Sequence, residues 1–275
     1  MSSVASVGGL YWWVRSKAHG LVWAMRHLRH ELDTPDCSVL MPLVMPGSVA
    51  LDVGAHGGAW TRRLHERVGP DGSVMAFEAL PYYASALRTV RVLLRLKHSV
   101  VIAAAAGAAP GRADLVWRDD QNRSLTGMVH LRSESETGGV TVPVPVVTVD
   151  DEVRRVGRIN EVSFVKIDVE GAELEVLRGC AEVLRCSRPV IYLEAEARWL
   201  ARYGHTIDEV FGFLKVRGYV AAVISAGSLV RTSADDYKTR CDAGNVVFLP
   251  EESAEQSLAM LDARVRPDSP TVGAE

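Results

Sequence analysis

Compact apolar runs and segments of helical apolar spacing alternate along most of the chain. Residues 48–52, 73–78, 100–104, 163–168 and 189–194 are short apolar runs, four of them closing on an acid. Such runs, bounded by turn residues, predict strands buried on both faces. Between them, 60–68, 81–96, 172–184 and 207–217 predict helices. Leu87, Val90 and Leu94, for example, share one helical face. Gly69, Pro70, Asp71 and Gly72 mark a turn, and 219–224 and 245–249 predict two more strands. Strands alternating with helices at this spacing predict an α/β domain, a mostly parallel sheet covered by helices on both faces.

Three segments depart from that rhythm. In residues 1–47, Val14, Ala18, Leu21, Met25, Leu28 and Leu32 form an apolar seam at helical period, with Trp12, Trp13 and Trp23 off it. The seam predicts a helical extension packed on the main domain or on a partner subunit. Its basic and aromatic content makes a membrane-surface helix the sharper alternative, and a lid over the substrate a third. Pro35, Pro42, Pro46 and Gly47 close this segment. Residues 108–147 hold polar residues and then Pro143 and Pro145 within a valine-rich run. Two prolines exclude a central strand and predict an extended edge segment or hairpin. Residues 251–275, polar with Pro267 and Pro270, predict a frayed tail. The organisation expected is therefore an extension (1–47), a catalytic domain (48–250) and a tail (251–275).

Composition narrows the classes. Of 275 residues, 48% are apolar and 24% charged, ordinary for a globular protein, and 31 basic against 34 acidic residues leave a net charge of −3. That balance argues against a dedicated nucleic-acid binder. Cys37, Cys180, Cys186 and Cys241 show no framework spacing, consistent with a reducing cytoplasm. No run is long enough to span a bilayer. The apolar stretch from Val4 to Val14 precedes the first basic residue, Arg15, the reverse of a signal peptide. A cytoplasmic enzyme with no transmembrane segment is expected, and packing of the N-terminal helix on protein is favoured over peripheral membrane contact.

Ligands of a parallel α/β sheet sit beyond the carboxyl ends of the strands. Asp52, Glu78, Asp168 and Glu194 all end predicted strands, so four acids converge on one edge. After Asp52 comes a loop containing Gly54, Gly57 and Gly58, able to turn sharply and admit a ligand to the backbone. Glu78, 20 residues past Gly58, is placed to accept hydrogen bonds from a ribose diol. Together they indicate a nucleoside ligand. The spacing lacks the GxGxxG of a dinucleotide site, and Asp52 would repel a pyrophosphate but suit the cationic sulfonium of S-adenosylmethionine.

The stretches Leu51 to Thr61, Val74 to Pro81, Phe164 to Gly179 and Pro189 to Glu194, with Val147 to Asp150 and Asn245 to Pro250, resemble the FkbM family of S-adenosylmethionine-dependent methyltransferases. Lys166 to Glu173 is the most specific part. The resemblance implies a class I methyltransferase (Rossmann-like) fold of seven strands, the last antiparallel, and methyl transfer to a hydroxyl of a sugar or polyketide-like product. The chain departs from the family at His56, usually Asn, at Gly57, usually a larger apolar residue, and at Ala79, usually Pro.

The expected cofactor contacts are Asp52, Gly54, Ala55, His56 and Gly58 at the methionine end, with Thr61 on its carboxylate. Glu78 and Ala79 would hold the ribose, Ala104 and Ala105 border the adenine, and Asp168 close the site. An alcohol needs a base or a Lewis acid before it attacks. Asp168, Glu194 and His56 are the catalytic candidates, and Asp168, Glu170 and Glu194 the candidate Mg²⁺ ligands. Glu170 and Glu173 also suit a helix N-terminus, and Lys166 a buried stem with a paired ammonium. His130, His205, Trp117, Arg118 and Arg123 are outer candidates for meeting the acceptor. The expected partners are a small-molecule or oligosaccharide acceptor and, through the N-terminal helix, a second copy. An NAD-dependent oxidoreductase and a noncatalytic assembly module are the rival readings.

Overall fold

A computed structural model of the chain describes residues 4–119, 121, 129–133, 138–240 and 244–265. Helices α1 (Val4–Leu28) and α2 (Pro35–Leu40) lead into β1 (Val49–Val53), α3 (Ala59–Val68), β2 (Ser73–Phe77), α4 (Pro81–Leu93) and β3 (Ser99–Ile102). Next come β4 (Ala105–Ala106), just before the segment at 108–147, and within that segment β5 (Gly111–Arg118), β6 (His130–Leu131) and β7 (Val140–Val147), followed by α5 (Val149–Arg155). The βα alternation resumes with β8 (Val162–Ile167), α6 (Glu173–Arg178), α7 (Ala181–Cys186), β9 (Val190–Glu194), α8 (Ala197–Leu200) and α9 (Ile207–Lys215). The chain ends with β10 (Tyr219–Ser225), β11 (Ser228–Arg231), α10 (Ala234–Thr239), β12 (Asn245–Pro250) and α11 (Ala254–Val265).

The main sheet runs β11-β10-β12-β9-β8-β1-β2-β3. Strands β3, β2, β1, β8 and β9 are parallel, and β12 is antiparallel to both β9 and β10. This is the class I methyltransferase architecture with eight strands rather than seven. The additional strand β11 is a hairpin partner of β10. Ala226 and Gly227 form its two-residue turn, both at positive φ, the twist that matches paired strands.

Sheet faces follow the alternation of side chains. Val49, Leu51 and Val53 of β1 join Ile167 and Leu193 in one core, while Ala50 packs on the other side with Phe164, Tyr192 and Val247. Every residue of β1 is buried, as a strand covered on both faces requires. The predicted helix at 172–184 is broken in two, because a Cβ at Gly179 would stand 2.1 Å from the Gly107 carbonyl oxygen. Asp150 holds the second piece: its carboxylate accepts the Glu182 and Val183 amides at 2.8 and 2.9 Å, satisfying free donors at the start of α7.

The segment at 108–147 builds a second sheet in the order β4-β7-β5-β6. Along Pro143 and Pro145 β7 has β5 on one side only, since β4 pairs with Val146 and Val147 alone. The prolines thus occupy an edge, as their missing amides demand. Residues 251–265, expected to fray, are ordered instead. Ala254, Ser257 and Leu261 are buried at helical spacing on α11, and Leu258 packs beside them against the sheet. Among the described cysteines, Cys37, Cys180 and Cys186 are free; Cys241 and Arg123 lie outside the described residues.

Helix α1 packs on α4 by the opposite face from the one its apolar seam predicted. Ser16, Gly20, Trp23, Ala24 and His27 are buried, whereas Val14, Leu21, Met25 and Leu28 are exposed. Small size is what selects the buried stripe. A Cβ at Gly20 would lie 2.5 Å from the Ala86 carbonyl oxygen, and Ser16 and Ser85 hydroxyls meet at 2.9 Å. The backbones approach too closely for leucines between them.

Gly20→Val should therefore lift α1 from α4. We expect a loss of about 1–3 kcal/mol in urea unfolding, the range for overpacking a tight contact. Gly212→Ala, at a glycine with open space around its Cβ position, should leave stability within about 1 kcal/mol.

Candidate active site at the carboxyl edge of the sheet

Strand β1 lies between β2 and β8, where the chain order reverses, and the crevice at such a point is where ligands enter an open α/β sheet. A cavity of about 300 Å³ opens there. Gly54, His56, Glu78, Asp168, Glu170 and Glu194 line it, with Ala79 and Ala104–Ala106 on the β2–β3 side and Leu115, His130 and Leu131 of the second sheet opposite. Three of the four strand-ending acids thus meet in one space.

Gly54 adopts φ +81°, and a Cβ there would stand 1.8 Å from the Asp168 carbonyl oxygen. Only glycine fits. The Gly54 and Ala55 amides both donate to the Phe77 carbonyl oxygen, at 3.0 and 2.9 Å, which folds the loop back over β2. Beyond it, Glu78 accepts the His56 amide on one oxygen and the Leu80 amide on the other, each at 2.8 Å. The carboxyl is clamped between the glycine loop and the start of α4, with its remaining lone pairs facing the cavity. Burial pushes its pKa up to about 7, against the pull of the two amides and the Lys166 ammonium.

Asp52 occupies a different place from the one expected. It is fully buried beneath the loop, accepts the Thr61 hydroxyl at 2.5 Å and faces the Lys166 ammonium at 3.6 Å. Thr61 is buried with it, and Ala55 and Gly58 also stand outside the cavity wall. Asp52 and Thr61, expected to touch the cofactor, are thus buried against each other beneath the loop, while Ala55 and Gly58 lie in the loop without lining the cavity. Alternation is the reason, since Asp52 falls on the face of β1 opposite Leu51 and Val53.

Lys166 ties the assembly together. Its ammonium donates to the Gly54 carbonyl oxygen at 2.7 Å and lies 3.2 Å from the Asp168 carboxylate. Burial would depress its pKa, but Asp168 and Asp52 raise it overall, so the cation persists. The buried, paired ammonium matches the structural reading of this residue, and it also joins the glycine loop to β8.

Beyond β8 and β9 the carboxylates crowd. Oxygens of Asp168, Glu170 and Glu194 lie within 4.8 Å of one another. Glu194 shares a hydrogen bond with Asp168, and burial followed by the charges of Asp168 and Glu170 pushes its pKa to about 9. Glu170, at φ +58°, is raised to about 7 by burial and by Asp168. A left-handed non-glycine residue beside such a cavity is strain of the kind that collects at functional sites. Glu173 points away and accepts the Val169 and Gly171 amides at 3.2 and 3.0 Å, the helix-terminal role expected for it.

Of the histidines, His56 lines the cavity at φ +43°, its pKa lowered to about 4 by burial and the nearby Lys166. Its Nε2 is buried without a hydrogen-bond partner. His130 also lines the cavity, its Nε2 receiving the Arg202 guanidinium at 3.0 Å. His205 is turned aside onto Glu175 at 3.1 Å. Trp117, beneath the Arg118 guanidinium, faces Trp12 of α1 rather than the acids.

Three residues of this region were given no role at the site by the sequence reading. Trp23 of α1 and Tyr83 of α4 pack their rings 4.9 and 4.8 Å from the His56 ring, and His27 meets the Gly57 carbonyl oxygen at 2.8 Å. The N-terminal helix therefore walls the glycine loop. The available signal was the stripe of Ser16, Gly20, Trp23 and His27 at spacings four, three and four, hidden by the more apolar seam beside it.

A family model for the methyltransferase FkbM domain matches residues 52–221. Among solved structures, the chain is similar to an FkbM methyltransferase of Methylobacillus flagellatus at 17% identity and TM-score 0.42, covering 73% of this chain and 43% of that one. It thus spans less than half the length of that protein. A SAM-dependent methyltransferase of Aquifex aeolicus gives 17% identity and TM-score 0.42, covering 80% and 92%. A SAM-dependent O-methyltransferase of Thermotoga maritima gives 13% and 0.39, covering 78% and 63%. No curated protein matches the chain.

The raised Glu78 pKa has a signed consequence. Between its ordinary value of 4.5 and about 7, the folded state binds more protons at this group than the unfolded state. Stability therefore falls as pH rises through that window. Glu78→Gln should remove this group's share of the slope: urea unfolding from pH 4.5 to 8 should show wild type declining relative to the variant by on the order of 3 kcal/mol. Parallel pH profiles would refute the assignment.

Proposed function

Because the chain belongs to the methyltransferase FkbM domain family, we propose that it transfers a methyl group from S-adenosylmethionine to a hydroxyl of a sugar, glycoside or polyketide-type natural product. The observation that carries this reading is the meeting of the Gly54 cradle, Glu78 and the Asp168–Glu194 pair in one cavity. The residues fit the cofactor. Gly54 lets the loop turn tightly against the Asp168 backbone at the cavity wall, Glu78 offers acceptor oxygens to a diol, and the orphaned His56 Nε2 has unmet hydrogen-bonding capacity. Ala79, Ala104 and Ala105 present small side chains where a flat base would lie.

The cofactor, when bound, supplies an electrophilic methyl carbon on a cationic sulfur. The protein must then align a hydroxyl with that carbon and remove its proton. Holding the two together supplies much of the rate. Burial and the charges of Asp168 and Glu170 keep Glu194 protonated and hydrogen-bonded to Asp168, and the Asp168 carboxylate is then the group placed to accept the hydroxyl proton. Lys166 keeps Asp168 oriented. Neutral His56 stands on the cofactor side of the cavity, where its ring orients rather than takes the proton.

The closeness of Asp168, Glu170 and Glu194 favours one second reading. Three carboxylates within 4.8 Å suit a hard divalent cation such as Mg²⁺, which when bound polarises the hydroxyl oxygen. The rival oxidoreductase lacks the glycine spacing for a pyrophosphate, and a noncatalytic module has no use for the shared proton of the acid pair.

Isothermal titration should show S-adenosylmethionine binding, strengthening as pH rises through about 7 and Glu78 ionises, with no NAD binding. Tight NAD binding without S-adenosylmethionine binding would overturn the proposal.

In a screen of glycosides and macrolides with labelled S-adenosylmethionine, Asp168→Asn should lower kcat by about 10²-fold or more. We expect turnover to survive EDTA. Loss of turnover that Mg²⁺ restores would assign the three carboxylates to a metal.

A further inference from the structure

The packing of α1 leaves a surface that methyl transfer does not account for. Nine of the eighteen large apolar side chains exposed among the described residues lie on this one helix. Leu10, Val14, Leu21, Met25 and Leu28, with Tyr11 and Val22, occupy a continuous arc of about 120° at 100° per residue. Leu28 is 69% exposed and Leu21 49%. This arc is a contiguous apolar patch of the kind that marks an interaction site. The helix is nevertheless firmly seated on the enzyme by its other face, through Gly20, Trp23 and His27.

Charge identifies the occupant. Residues 1–30 contain Arg15, Lys17, Arg26 and Arg29 and no acid. Lys17 borders one side of the apolar arc, Arg15 and Arg26 the other. Glu31 faces Arg26 at 3.3 Å and Arg29 at 3.7 Å, which leaves an excess of three positive charges. Lys17 lies along the Trp13 ring, and Arg15 reaches the Tyr11 hydroxyl at 3.2 Å. In a chain of net charge −3, this acid-free stretch carries its cations along the borders and at the end of the exposed apolar arc.

We propose that this face of α1 docks the enzyme on an anionic lipid surface, with the arc in the boundary between headgroups and acyl chains and the flanking Arg and Lys at phosphate level. An exposed apolar stripe between cationic borders, with aromatic residues at one end, is what such an interface requires. A second copy fits poorly, because pairing these faces would bring two cationic surfaces together. No helix among the described residues is long and apolar enough to cross a membrane, so the contact is peripheral. It presents to the bilayer the same helix that carries Trp23 against the cofactor loop.

The test is vesicle flotation of the full chain, with no cofactor added, so that its result is independent of the methyltransferase reading. Vesicles of phosphatidylcholine with roughly 30% phosphatidylserine should carry the protein, and pure phosphatidylcholine should not. Leu21→Glu with Met25→Glu, and separately Arg15→Glu with Lys17→Glu, should each lower bound protein at least about tenfold, from about fivefold per charge. Leu21, Met25 and Arg15 are exposed and Lys17 is half-buried, and unchanged thermal melting will establish that the variants fold. Absence of flotation, equal binding to neutral vesicles, or retained binding by the second pair would overturn the proposal. So would a light-scattering dimer that Leu21→Glu with Met25→Glu dissociates, which would give the face to a second copy.

Discussion

The buried ammonium of Lys166 is the contact on which the site depends. It sits under the glycine loop, bonded to the Gly54 carbonyl oxygen and flanked by Asp52 and Asp168. A cation removed from water is tolerated only when paired and hydrogen-bonded, and deleting one partner strands the other at a penalty of about 3–5 kcal/mol. Asp52 in turn is anchored by Thr61 at the start of α3. One charge network therefore fixes three separate pieces: the loop after β1, the end of β8 and the first turn of α3. Those pieces are the floor of the cavity.

Above that floor the cavity is divided by electrostatic task. At one end a single buried carboxyl, Glu78, is held by two backbone amides, and its pKa stands near 7. At the other three acids crowd, and Glu194 retains its proton to about 9. Environment, rather than residue type, separates these carboxyls: amides and an ammonium favour the charged form, like charges and burial the neutral one. The second sheet contributes Leu115, His130 and Leu131 to the cavity wall, so the segment that interrupts the βα rhythm also lines the cavity.

Helix α1 illustrates how close packing can override apolar patterning. Burying the seam of Val14, Leu21, Met25 and Leu28 would remove more apolar surface from water, but only the Ser16–Gly20–Ala24 stripe lets the backbones of α1 and α4 meet closely enough for Trp23 and His27 to reach the glycine loop. The apolar face was left outward, on a stretch of chain, residues 1–30, that contains no acid. The extension is thus part of the active-site wall on one side and an unpartnered surface on the other.

The alternation of strands and helices, the Gly54 turn and the acids at strand ends were legible in the linear pattern, because each is a local property with a period of two or 3.6 residues or a fixed offset. They determined the α/β class, the edge of the sheet that carries the site and its family. The faces were another matter. That Asp52 points beneath the loop while Glu78 faces the cavity, that α1 buries its small residues, and that 254–265 forms a helix over the sheet each depend on which neighbour approaches and how closely. Those distances arise only when segments far apart in the chain are packed together, so burial and steric fit in the folded molecule assigned the faces that apolar periodicity alone had assigned differently.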